Sequence, residues 1–97
     1  MKYLLDTHIV IWYLEDSSNL SSTIKEIIDK NENEIYLSSV SLLEIAIKLS
    51  LDKLRLILSF DEFLNHIINT DFNILQIENE YLKQLAVLPF LHKDPFD

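Results

Sequence analysis

Apolar positions along the chain fall alternately into short continuous runs and into stretches spaced three and four apart, which predicts strands alternating with helices. Lys2 to Leu5 is a brief run suited to a strand buried on both faces of a parallel sheet, and Asp6 stands at its carboxyl end. Thr7 is placed to cap a helix through Ile9, Val10, Trp12, Tyr13 and Leu14, closed by the polar cluster Glu15 to Asn19. A second helix spans about Ser22 to Lys30, with Ile24, Ile27 and Ile28 on one face and capping-box spacing at Thr23 and Glu26. Glu34 to Ser38 reads as the next strand, and Ser39 or Ser41 caps a helix running to about Leu51. Its apolar residues cover nearly the whole circumference and leave Ser41, Glu44 and Lys48 as a thin polar strip, so Glu44 is expected to project from a buried helix.

Phe60, Phe63, Leu64, Ile67 and Ile68 make an amphipathic helix, started by a Ser59/Glu62 capping box and stopped near Asn69 to Asp71. Phe72 to Ile77 is the third expected strand. Glu78 to Leu88 is a helix with Tyr81, Leu82, Leu85 and Ala86 toward the core, ended by Pro89. In the final stretch, Phe90 to Asp97, Pro95 suits the first turn of a helix. With no repeat or linker, the alternation predicts one α/β domain over residues 1–97, a parallel sheet flanked by helices on both faces. Ligands of such sheets bind beyond the carboxyl ends of the strands, where Asp6 lies.

Composition narrows the chemistry. Cysteine is absent, so thiolate metal sites, disulfides and thiol nucleophiles are excluded, and any metal must be held by oxygen or imidazole. The net charge of −8 argues against simple electrostatic capture of nucleic acid; a nuclease would need divalent cations at a carboxylate cluster, or a local basic stripe such as Lys48, Lys53 and Arg55. Glycine is absent too, so tight turns are expected to rely on Asn and Asp, as at Asn19 and Asn31 to Asn33. No apolar run reaches the length needed to span a bilayer and no leader pattern opens the chain, which points to the cytoplasm.

Asp6, Glu44, Asp94 and Asp97 each admit a plain structural role. Asp6 can cap the next helix, Glu44 can pair with Lys48 at i, i+4, and Asp94 and Asp97 can favour a helix dipole. His8, His66 and His92 are not at metal-ligand spacings, and Trp12 and Tyr13 read as core or interface aromatics. Phosphatases of the haloacid dehalogenase type also begin with an aspartate after a strand, but need a second one two residues later, where His8 stands.

Three separated motifs carry a family resemblance: Leu4-Leu5-Asp6-Thr7-His8, Leu43-Glu44-Ile45-Ala46-Ile47-Lys48, and His92-Lys93-Asp94-Pro95-Phe96-Asp97. In order and spacing the chain resembles PIN domains of the VapC type. The resemblance implies an endoribonuclease toxin that cuts RNA using Mg²⁺ or Mn²⁺, partnered by a VapB-type antitoxin and able to form a homodimer. It makes Asp6, Glu44 and Asp97 the catalytic, metal-holding carboxylates, Thr7 a supporting residue that orients a metal-bound water or Asp6, Asp94 a neighbouring candidate, and Lys48 a contact for RNA phosphate. Mg²⁺ takes hard oxygen ligands and keeps several waters, which suits carboxylates drawn from separate elements. Three of them about 5 Å apart would repel by roughly 3 kcal/mol per pair, so one is expected to have a raised pKa when no cation is bound.

VapC-type domains continue beyond the position of Asp97 with the rest of a helix, a strand and a further acidic residue. The sequence is therefore expected to be C-terminally truncated, with no strand beside the far edge of Lys2 to Leu5. Two functions follow: a metal-dependent ribonuclease, or an inactive relic retaining at most surfaces for an antitoxin or for self-association. Asp52 stands where relatives often have glycine.

Overall fold

The computed structural model describes residues 1–76, 78–87 and 90–91. The elements in chain order are β1 (Lys2–Leu5), α1 (Thr7–Leu14), α2 (Ser22–Asp29), β2 (Glu34–Ser38), α3 (Ser39–Ser50), α4 (Phe60–Ile68), β3 (Asn73–Leu75), α5 (Asn79–Val87) and β4 (Phe90–Leu91). The strands form one parallel sheet in the order β3-β2-β1-β4, with Leu4 registered against Tyr36 on one side and Phe90 on the other.

This order fixes where the helices go. The steps from β1 to β2 and from β2 to β3 run the same way across the sheet, so right-handed crossovers put α1 to α4 on one face; the return from β3 to β4 runs the other way and assigns α5 to the opposite face. The apolar residues divide accordingly. Leu5, Ile35 and Leu37 point into the main core with Ile9, Val10, Ile28, Ile45 and Phe63, whereas Leu4, Leu75 and Tyr36 form a small cluster of their own. Alternation along β1 and β2 sends successive side chains to opposite faces. The direction of travel reverses at β1, which makes the carboxyl ends of β1 and β4 the crevice where such sheets bind ligands.

Several local expectations are corrected. The first turn of α2 is capped by Ser21, which accepts from the Ile24 amide, and not by a Thr23/Glu26 box. Ser38, the last residue of β2, caps α3 by accepting from the Val40 amide at 3.0 Å, so Ser39 and Ser41 are already helical. The Ser59/Glu62 capping box is present at α4. Of the Asn and Asp residues expected to make the turns, it is aspartates that take the left-handed positions among the described residues, Asp16 and Asp52, with φ of 52° and 56°, and not the asparagines named. The short polar side chain of Asp52 is one of the few that tolerate this conformation. On α5, Leu82 and Ala86 are exposed instead of facing the core. The edge of β1 expected to lie open is paired with β4.

No helix among the described residues is long and apolar enough to cross a membrane. The expected helix at Pro95, and with it His92, Asp94 and Asp97, lies outside the described residues.

Candidate metal centre

Asp6 is the N-cap of α1. Its backbone is extended, as a cap requires, and Oδ1 accepts from the His8 amide at 3.4 Å. That bond uses one carboxylate oxygen, and Oδ2 has no hydrogen-bond partner among the described residues. The cap role and a ligand role are therefore compatible in one side chain.

Glu44 arrives from α3, whose N-terminus lies at the carboxyl end of β2, next to that of β1. Ile45 is fully buried and docks α3 on the core, and α3 also packs against α1. The helix is not buried all round, as its greasy sequence suggested: Val40, Leu43, Ile47 and Leu51 are exposed, and Glu44 and Lys48 are half-buried between them. Thr7, itself buried, donates from Oγ1 to Glu44 Oε1 at 2.9 Å. This bond spans 37 residues of sequence and ties the residue after Asp6 to the α3 carboxylate. Thr7 thus has Glu44 as its hydrogen-bond acceptor among the described residues. Lys48 Nζ donates to the other oxygen, Oε2, at 2.7 Å. The surface ion pair that a buried helix would have disfavoured is formed.

Glu44 is not the carboxylate with the raised pKa that a metal-free cluster was expected to contain. Its pKa is lowered, by the Lys48 hydrogen bond first and the Thr7 hydrogen bond second, with smaller help from the nearby His8. The positive and donor groups around it outweigh burial, which acts in the opposite direction. A depressed folded pKa contributes stability that is present above the ordinary glutamate value and is lost as pH falls through the lowered one. Glu44 therefore stays ionised, and available to a cation, to lower pH than an unassisted glutamate.

Thr7→Val keeps the shape and removes the donor. We expect the Glu44 pKa, followed by carboxyl carbon NMR, to move up toward the ordinary value, with stability falling by roughly 1 kcal/mol. An unmoved titration would show that Thr7 does not hold Glu44.

The candidate donors are hard carboxylate oxygens, on Asp6 and on Glu44, whose Oε1 is bonded to the residue after Asp6, and oxygens of this type fit a divalent cation of the Mg²⁺ type. Among the described residues no group of three His, Asp or Glu side chains is arranged to hold a metal ion, and the third expected carboxylate, Asp97, is outside them, as is Asp94. His8 packs its ring 6.0 Å from that of Trp12, and His66 is exposed on α4. Trp12 and Tyr13 pack against the core. A cleft of about 380 Å³ lies elsewhere, at the amino edge of the sheet, lined by Tyr13, Asp29, Asn69, Asp71 and Phe72 among others. There the Tyr13 hydroxyl donates to Asp29, and burial first and that carboxylate second push the phenol up to about 12.

The structure thus presents a parallel α/β sheet in which Asp6 caps the first helix and the next residue, Thr7, is hydrogen-bonded to Glu44 of α3. The PIN domain family model matches residues 3–97, and the chain belongs to that family. PIN domains generally use divalent metal ions and typically bind RNA. No curated protein and no solved structure matches the chain.

Proposed function

We propose that the chain is a Mg²⁺- or Mn²⁺-dependent endoribonuclease of the VapC toxin type, acting on RNA in the cytoplasm. The observation that carries this reading is the Thr7–Glu44 hydrogen bond, which joins the Asp6 turn to the α3 carboxylate at the binding edge of the sheet. Asp6 and Glu44 hold the cation, and Asp97 is proposed as the third carboxylate, with Asp94 beside it. The bound cation supplies charge neutralisation at the phosphodiester and an activated water. Asp6 stays fixed by its cap bond, Thr7 holds Glu44 through Oε1, and Lys48 meets a phosphate of the RNA.

We place a VapB-type antitoxin over the exposed stripe of Val40, Leu43, Ile47 and Leu51 that flanks Glu44. The net charge of −8 favours a basic amphipathic segment there, whereas a homodimer through the same stripe would bring two acidic chains together.

Incubation of a structured RNA with the chain, with Mg²⁺ and with excess chelator, tests the activity. Internal cleavage only with metal supports the ribonuclease. Absence of cleavage under both conditions supports instead an inactive domain, a reading favoured by the pairing of Lys48 with a proposed ligand.

A further inference from the structure

Both oxygens of Glu44 are occupied by donors of the protein itself, and the two donors are held very differently. Thr7 is buried at the β1–α1 junction and its short side chain has nowhere else to go. Lys48 reaches Oε2 at 2.7 Å from the end of a flexible four-carbon stem, one turn further along α3, and its side chain is 39% exposed. The stem runs beside a shallow apolar hollow formed by Val40, Leu43 and Ile47, with Glu44 and Lys48 completing its lining.

We propose that Lys48 is a positioning residue that holds Glu44 in the absence of a divalent cation and releases Oε2 when the cation enters. This rests on the metal-site reading above. The ammonium hydrogen-bonded to Oε2 holds the carboxylate in one place, which lowers the ordering cost that metal binding would otherwise carry. The hold is weak because of its geometry. A Glu–Lys pair at i, i+4 on an accessible helix face shifts an equilibrium by about twofold, so a dication sharing that oxygen displaces the ammonium readily. No other acidic side chain among the described residues pairs with Lys48, and its released end faces solvent, from which a phosphate would approach. Thr7 remains on Oε1 throughout, so the carboxylate does not swing away on exchange.

The test uses the full chain, with Mn²⁺ calorimetry and with Mg²⁺-dependent acetylation of lysines followed residue by residue by mass spectrometry. Saturating Mg²⁺ should raise the acetylation rate of Lys48 severalfold and leave those of Lys25 and Lys83 unchanged. Lys48→Gln should bind Mn²⁺ roughly threefold to tenfold more tightly, because both the competitor and a repelling charge are gone. Lys53→Gln, which removes a charge just beyond the same helix, should change affinity by less than about twofold. Mn²⁺ binding that Glu44→Gln abolishes, combined with Lys48 acetylation indifferent to metal, would overturn the exchange while leaving the metal site standing. Equal tightening in Lys48→Gln and Lys53→Gln would overturn it as well, reducing Lys48 to one more surface charge. Absence of any Glu44-dependent Mn²⁺ binding would remove both.

Discussion

Asp6→Asn and Glu44→Gln are each expected to lower Mg²⁺-dependent RNA cleavage by at least about 100-fold, since even partners one step removed from a metal cost up to that factor. Neither change should unfold the chain. Asn caps helices about as well as Asp, so the bond from the His8 amide survives in Asp6→Asn. The side-chain amide introduced by Glu44→Gln keeps an acceptor for Thr7 and loses the charge and the acceptor that Lys48 answers, a half-exposed pair of small worth. Melting temperatures close to that of the native chain, beside lost cleavage, would separate the chemistry from the fold. Cleavage within threefold of native in both variants would remove Asp6 and Glu44 from the reaction.

Phe63→Ala should have the largest effect on stability. Phe63 is fully buried where α4 meets α1 in the main core, and its loss opens a cavity that costs about 3–5 kcal/mol. A domain of this size has a total stability of only about 5–15 kcal/mol. The expected fall in melting temperature is on the order of 20 °C. Because α1 carries Asp6 at its start, metal binding should weaken near the lowered transition, well before it does in the native chain. A shift of less than about 5 °C would mean that α4 does not seal the core.

The order of strands and helices was legible because each element has a period of its own: the brief run at β1, the 3.6-residue stripe at α4, and the Ser59/Glu62 box that starts it. Boundaries were less so. Three serines around the start of α3 offer equivalent caps, and only the end of β2 selects Ser38. The exposure of α3 was misread because an apolar residue on every face says nothing about which face is covered; Ile45 meets the core, and Val40, Leu43 and Ile47 do not. The same error made the Glu44–Lys48 pair, legible from its i, i+4 spacing, look disfavoured. The lowered Glu44 pKa could not be read from a count of carboxylates, since it depends on a hydroxyl 37 positions away. β4 is two residues long, too short to leave a pattern.

On the proposed function, the turn after β1 and the middle of α3 share one cation. Mn²⁺ broadens the NMR signals of nearby amides, and its footprint on the full chain reads this directly. Selective broadening is predicted at Thr7, His8 and Glu44, abolished by Asp6→Asn. Broadening centred instead on Asp29 and Asp71 at the amino edge of the sheet, or unaffected by that substitution, would contradict it.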